Sequence, residues 1–137
     1  MSWQRVIPVE FNHCDPAGIV FYPRYFEMTN SVIENFFAEV LEYPYARITL
    51  QEHHGVPTVH LEADFRAPAR LGERLTFTLT AERIVRASVT FALQAEAAGT
   101  VRMQARLVLA WVTPEGRAAP WPEAIRGRLT RFMEPQA

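Results

Sequence analysis

Apolar residues recur along this chain with two different periods, and the change from one to the other divides it. In four successive runs every second residue is apolar. Val59, Leu61, Ala63, Phe65 and Ala67 oppose Thr58, His60, Glu62, Asp64 and Arg66, and Leu75, Phe77, Leu79 and Ala81 oppose Arg74, Thr76, Thr78 and Thr80. Val89, Phe91, Leu93, Ala95 and Ala97 then oppose Ser88, Thr90, Gln94 and Glu96, and Val101, Met103, Ala105, Leu107, Leu109 and Trp111 form the last apolar face. A two-residue period is that of a strand with one face buried. The connections between these runs are short, as at Ala98-Gly99-Thr100, so the strands pair antiparallel; parallel pairing needs a long crossover. Pro114-Glu115-Gly116 closes the last strand.

Ahead of these strands, Trp3 to Phe11 reads as a first strand with Ile7, Val9 and Phe11 on one face. Pro8 has no amide hydrogen to give a ladder, which places this strand at a sheet edge or turns the Pro8 nitrogen outward. At Pro23 the period changes. Tyr25, Met28, Val32 and Phe36, with Thr29, Ile33, Phe37 and Val40, recur at three- and four-residue spacing, which predicts a helix that starts at Pro23 and stops at Tyr43-Pro44. Its apolar arc is wide, leaving Glu27, Ser31, Glu34, Ala38 and Glu42 on the remaining face, so the helix is expected to be wrapped on most sides. Pro122 to Phe132 carries a short helical pattern with Ile125, Leu129 and Phe132 inward. The order β-α-β-β-β-β predicts an α+β fold: one long central helix packed on one face of a five-stranded antiparallel sheet, the other face wet or covered by a partner.

Composition narrows the functional classes. With 137 residues, 49% of them hydrophobic, the chain reads as a single domain over 1–137 with a substantial core. The segment Met1 to Phe11 shows neither a secretory signal nor a membrane anchor, and the expected location is the cytoplasm. One cysteine, Cys14, excludes an internal disulfide framework, and a formal net charge of −1 gives no general attraction to nucleic acid or an anionic membrane. All 14 basic residues are Arg. His13, His53, His54 and His60 form no metal-binding spacing, so neither a metal nor another cofactor is expected.

The stretch that carries candidate chemistry runs from Phe11 to Phe26. Asp15 precedes a proline and is biased to an extended conformation, and Pro16 and Gly18 then turn the chain into the helix entrance. A helix N-terminus presents unsatisfied amides and a partial positive charge, which stabilises the oxyanion of an attacked carbonyl and favours the ionised form of a nearby carboxylate. An ionised carboxylate is a usable nucleophile, and activation of water as a general base is its alternative role. Asp15 can equally be a loop or capping residue. Cys14, His13 and Asp15 are consecutive and cannot converge on one reacting atom as a triad does, which leaves Cys14 as a small buried filler. His60 falls on the polar strand face, exposed or in a dimer contact.

The run Cys14-Asp15-Pro16-Ala17-Gly18-Ile19-Val20-Phe21-Tyr22-Pro23-Arg24-Tyr25, with Gly55-Val56-Pro57 before the second strand, resembles the active-site signature of the 4-hydroxybenzoyl-CoA thioesterase family, and the element order resembles the hot-dog fold. The resemblance implies an acyl-CoA thioesterase in which Asp15 is the catalytic carboxylate and the backbone amide of Tyr22 binds the oxyanion. A coenzyme A thiol with a pKa of about 8.5, by analogy with Cys, leaves without a strong general acid. The resemblance further assigns His13, Gly18, Tyr25, Gly55, Pro57 and Thr58 to substrate binding. Tyr22 and Tyr25 are candidates for an aromatic wall, with Phe26 in the core. Arg83 and Arg86, at a turn interrupted by Ile84, Val85 and Ala87, with Arg70 behind them, are the candidates for the coenzyme A phosphates; solvated surface arginines are the alternative. The implied partner is a small-molecule acyl-CoA, aryl or short- to medium-chain. The implied assembly is a homodimer or homotetramer with the site at a subunit interface. Two other readings remain open: a non-catalytic acyl-CoA or acyl-carrier binding module, and a hydroxyacyl dehydratase, for which no histidine is suitably placed.

Overall fold

A computed structural model describes residues 1–135. The expectation of one domain over 1–137 includes residues 136 and 137, which lie outside the described residues. Five strands form one antiparallel sheet in the order β1-β3-β4-β5-β2: β1 (Ser2–Pro8), β2 (Thr58–Phe65), β3 (Arg74–Ile84), β4 (Ser88–Ala97) and β5 (Thr100–Ala110). The long helix α1 (Arg24–Glu39) and the shorter α2 (Glu123–Met133) complete the architecture.

The wide apolar arc of α1 works as its pattern predicts. Tyr25, Met28, Thr29, Val32, Ile33, Phe36 and Phe37 are buried, while Glu27, Asn30, Glu34 and Ala38 stay exposed. Phe36 is the pivot, meeting the rings of Trp3 on β1, Phe91 on β4 and Phe132 on α2 edge-on at centroid distances of 5.9, 5.5 and 4.8 Å. Such edge-to-face pairs add to the burial of the rings themselves. Beneath them Leu75, Phe77, Leu79, Val89, Phe91, Leu93, Met103, Leu107 and Leu109 supply the sheet's inner face. From α2, Ile125, Leu129 and Phe132 point inward as expected.

Several expectations need correction. The first strand ends at Pro8, and Phe11 lies in a short 3-10 turn, Phe11–His13, with 82% of its surface exposed; only Val9 of the extended segment is buried. A local exchange terminates the strand: the Glu10 side chain accepts from the His13 amide while His13 Nδ1 accepts from the Glu10 amide at 2.9 Å. Pro8 does sit on an edge strand, where its missing donor costs nothing. The helix stops at Glu39, before Tyr43-Pro44, and a π-helical turn, Arg47–Gln51, follows it where only a loop was expected.

The largest departure is β2. The strand exists, but it forms the second edge of the sheet and is open almost throughout. Val59, Leu61 and Phe65 keep 60%, 38% and 46% of their surface exposed. A bulge between Thr58 and His60 shifts the alternation, so Thr58, expected on the polar face, joins Leu61 on the helix side. A second bulge opposite Ala95 and Glu96 makes Arg102 the extra residue of β5 and turns it into the interior, where 8% of its surface remains exposed.

Candidate active site

The loop between β1 and α1 is held on two sides. Within itself it folds back as a narrow ribbon. The Asp15 amide donates to the Ile19 carbonyl at 3.0 Å, the Phe21 amide to the His13 carbonyl at 2.9 Å, and the Gly18 amide to the Asp15 carbonyl at 3.0 Å, with Gly18 at φ +77° closing the turn. Asp15 Oδ1 accepts from the Ala17 amide at 2.9 Å, which leaves Oδ2 unengaged among the described residues. On its outer side the ribbon docks against the β2–β3 connection, where the Val20 amide donates to the Ala69 carbonyl and the Leu71 amide to the Gly18 carbonyl, each at 2.9 Å.

The entrance to α1 singles out one amide. Arg24, Tyr25 and Phe26 already donate to the carbonyls of Phe21, Tyr22 and Pro23 at 2.8, 3.1 and 3.1 Å, so the first turn of the helix satisfies itself. Pro23 has none to give. Among the described residues no acceptor pairs with the Tyr22 amide, which therefore remains available at the positive end of the helix. The ribbon register pairs Asp15 with Ile19 and His13 with Phe21, so Asp15 and Tyr22 stand three residues apart along it. That is on the order of 10 Å between their backbones, enough for a carbonyl group to lie between carboxylate and amide.

The aromatic wall differs from its expectation. Tyr25 is buried to 3% and its hydroxyl has no partner, so it packs as a core residue. Burial pushes its phenol up, with the nearby Arg102 charge opposing and Glu73 reinforcing the shift. Tyr22 is 58% exposed and meets the rings of Phe21 and Phe65 at 5.6 and 6.0 Å. Phe26, expected in the core, is half-buried and lines a cavity of about 150 Å³ with Thr29, Asn30 and Ile33 of α1, Thr58 and Leu61 of β2, and Leu107 and Leu109 of β5. The bulge in β2 had hidden this groove from a period-two reading.

The remaining assigned residues separate into two groups. His13, Gly18, Tyr22, Tyr25 and Arg70 lie at the same end of the sheet as Asp15, because Ile19 bridges to Arg70 and Phe65 touches Tyr22 and Tyr25. His13 Nδ1 is occupied by the Glu10 amide, so a neutral ring carries its proton on Nε2. Gly55, Pro57 and Thr58 lie at the opposite end, where Gly55 bridges to Val112 and Thr58 pairs with Leu109. Arg83 and Arg86 are at that far end too, since the Trp111 amide donates to the Ala87 carbonyl and Ser88 pairs with Ala110. Strand β3, 11 residues long, separates Arg83 from the Asp15 end. That is about 30 Å at a strand's rise per residue. One copy of the chain therefore does not bring Asp15 together with Arg83 and Arg86.

Arg126 of α2, not singled out by its sequence position, reaches the same turn and donates to the Val85 carbonyl at 3.4 Å. Cys14 is half-buried, its thiol 3.5 Å from the Glu10 carbonyl, in keeping with a filler. His60 is exposed on the polar face and meets Glu62 at 3.0 Å. Among the described residues, no three His, Cys, Asp or Glu side chains converge on a metal-sized site, and no helix is long and apolar enough to cross a membrane.

The profile of the thioesterase-like superfamily matches residues 9–129, which includes the whole of the Asp15 loop and every strand of the sheet except β1. The chain belongs to the thioesterase-like superfamily. Among curated proteins it resembles the 4-hydroxybenzoyl-CoA thioesterase of Pseudomonas sp. strain CBS-3, at 32% identity over 69 residues. That match spans half of this chain and 49% of the relative. The thioesterase-like architecture extends over nearly the full length in solved structures. The 1,4-dihydroxy-2-naphthoyl-CoA thioesterase from Synechocystis superposes with a TM-score of 0.87 at 21% identity, covering 98% of this chain and 100% of its own. The 4-hydroxybenzoyl-CoA thioesterase from Pseudomonas sp. strain CBS-3 superposes with a TM-score of 0.85 at 24% identity, covering 93% and 98%. At such identities the likeness establishes the fold, one long helix packed on a five-stranded antiparallel sheet, which is the hot-dog fold.

Proposed function

We propose that the protein is a cytoplasmic acyl-CoA thioesterase, a single hot-dog domain whose working group is Asp15. The observation that carries this reading is the unpaired Tyr22 amide at the head of α1, held in one hydrogen-bonded ribbon with Asp15. The thioester carbonyl would direct its oxygen to the Tyr22 amide while the Asp15 carboxylate attacks the carbonyl carbon. Collapse of the tetrahedral oxyanion breaks the carbon–sulfur bond and expels coenzyme A as the thiolate, leaving a mixed anhydride on Asp15. Water then attacks the anhydride, releasing the acid and restoring the carboxylate. In the general-base variant the same carboxylate removes a proton from the attacking water. The groove between α1 and β2, apolar except for Thr29, Asn30 and Thr58, suits an aryl or short acyl group.

Two features support a homodimer built on β2. The strand is an unpaired edge with exposed apolar residues, carrying neither Lys nor Pro to block further pairing. Joining two copies by their β2 edges about a two-fold axis also sets the Thr58 end of one against the Phe65 end of the other. Gly55, Pro57 and Thr58 of one copy then complete the Asp15 site of its partner, which resolves the separation of the two groups. A tetramer would be a pair of such dimers.

The test is hydrolysis of a panel of aryl- and alkyl-CoA thioesters, followed by thiol release. Wild type should release coenzyme A from at least one, and Asp15→Asn should retain the fold and lose the reaction. Full activity in Asp15→Asn would remove the mechanism, while saturable binding without thiol release would identify a carrier or binding module instead.

A further inference from the structure

We propose that the ion pair between Glu73 and Arg102 is a positioning device for the Asp15 loop, an inference that rests on the hydrolase reading above. The Arg102 guanidinium grips Glu73 with both ends of its fork, NH1 to Oε1 at 2.8 Å and NH2 to Oε2 at 2.9 Å. The same two nitrogens reach the Pro68 carbonyl at 2.9 Å and the Ala97 carbonyl at 3.1 Å. One side chain therefore ties two points of the β2–β3 connection, Pro68 and Glu73, to the end of β4 at Ala97. Glu73 in turn accepts from the Arg70 amide at 2.7 Å, closing the turn from Arg70 to Glu73.

That turn is the surface on which the Asp15 ribbon docks. Ala69 and Leu71, on either side of Arg70, make the two backbone bonds to Val20 and Gly18, and Gly18 is bonded directly to Asp15. The connection runs from Arg102 through Glu73 to residues 69–71, then to residues 18–20, then to Asp15. Tyr25, in the first turn of α1, is buried, and the charges of Arg102 and Glu73 both act on its phenol. Neither Glu73 nor Arg102 belongs to the acyl groove. Their contribution to hydrolysis is geometric: they set where the carboxylate stands relative to the Tyr22 amide.

Two variants separate this role from general stability. Glu73→Gln keeps the shape of the side chain and loses the charged fork contact, while Arg102→Lys keeps the charge and loses the fork. At temperatures below the melting transition of each, Glu73→Gln is expected to lower kcat on the order of 100-fold, the penalty of an ångström-scale misplacement, with KM near the wild-type value. Arg102→Lys should have a kcat between those of wild type and Glu73→Gln. Amide exchange should accelerate at Val20 and Leu71 while core amides of β4 such as Leu93 keep their protection. A variant that melts earlier but keeps its kcat, or one whose Val20 and Leu71 amides exchange as in wild type, would overturn the proposal. If wild type hydrolyses no thioester, or Asp15→Asn retains full activity, the hydrolase reading fails on its own account. The exchange comparison then decides the positioning role alone: selective loss of protection upholds it, and unchanged protection rejects it.

Discussion

Replacing Val59 with Lys tests whether the open edge of β2 is where two copies meet. Val59 lies at the bulge and is 60% exposed, so the change should cost the isolated chain little; surface substitutions stay within about 0.5 kcal/mol. In the dimer the same position would be covered. The exposed fractions of Val59, Leu61 and Phe65 amount to roughly one and a half apolar side chains per copy. At about 2 kcal/mol for each fully buried side chain, covering them contributes about 6 kcal/mol per pair of copies. Association costs about 4 to 15 kcal/mol in lost freedom, so apolar burial alone only approaches balance and the added ladder of backbone hydrogen bonds decides the outcome. An interface so poised is sensitive to a charge at its edge. Val59→Lys forfeits about 2 kcal/mol of burial per pair, to which the repulsion of two like charges across the axis adds up to about 1 kcal/mol. The dimer dissociation constant should therefore rise by about 30- to 150-fold.

Sedimentation equilibrium over a range of concentrations reads the dissociation constant, thermal unfolding confirms that the fold survives, and thiol release reports kcat/KM. Hydrolysis should fall in proportion to the dimer fraction, because the Thr58 end of the partner is then missing from the Asp15 site. A monomeric Val59→Lys variant with undiminished kcat/KM would refute the shared site. A wild-type protein that remains monomeric at high concentration would refute the interface itself.

Two further outcomes follow from particular residues. Gly18→Ala forces a side chain into φ +77°, where no atom lies within 4 Å of the new Cβ, so the cost is backbone strain alone, about 1 to 2 kcal/mol; thermal unfolding should show that loss, and hydrolysis should fall further because the turn carries Asp15. At the pH extremes, hydrogen bonds from Arg102 hold Glu73 below the ordinary carboxylate range, hydrogen bonds from Tyr43 and Arg47 do the same for Glu52, and the bond from Arg106 does so for Glu82. Their stabilisation is present above pH 4.5, the unfolded value, and is lost as pH falls through the depressed folded values. At the alkaline end burial, and then the bond to Glu52, push Tyr43 up to about 12, so its contribution is complete below pH 10 and disappears as pH rises through 12. Unfolding midpoints measured from pH 3 to 12 should form a plateau bounded at these two edges, and a Tyr43→Phe variant should lose the Tyr43 part of the alkaline edge while burial of the Tyr25 and Tyr45 phenols keeps the rest.

Regular alternation made β3 and β4 readable because both strands are interior, and each has one face buried in the core. The same rule failed wherever a strand departed from strict period two. Arg102 reads as a polar, outward residue of β5 until the bulge opposite Ala95 and Glu96 inserts it as an extra position and turns it inward. Thr58 reads as outward until the bulge in β2 brings it to the groove. Bulges leave no composition signal of the kind that Gly and Pro leave at turns, so the Glu73–Arg102 pair and the groove between α1 and β2 were both illegible. Phe11 failed for another reason: its apolar side chain continued an alternation that the Glu10–His13 exchange had already ended.

The Asp15 loop was legible because its residues are local. Asp15, Gly18 and Tyr22 lie within eight consecutive residues, and proline and glycine announce the turn between them. Gly55, Pro57, Thr58, Arg83 and Arg86 could be named as candidates from the chain, but the distance separating them from Asp15 could not be read, since nothing in an alternating pattern tells which end of a strand a loop will share. That distance gives the open edge of β2 its significance. A strand exposed on both faces is a liability for a lone chain, whereas a two-fold pairing along it covers the apolar residues and carries the far-end loop of one copy to the acid of the other. The same operation thus answers the energetic problem and the geometric one.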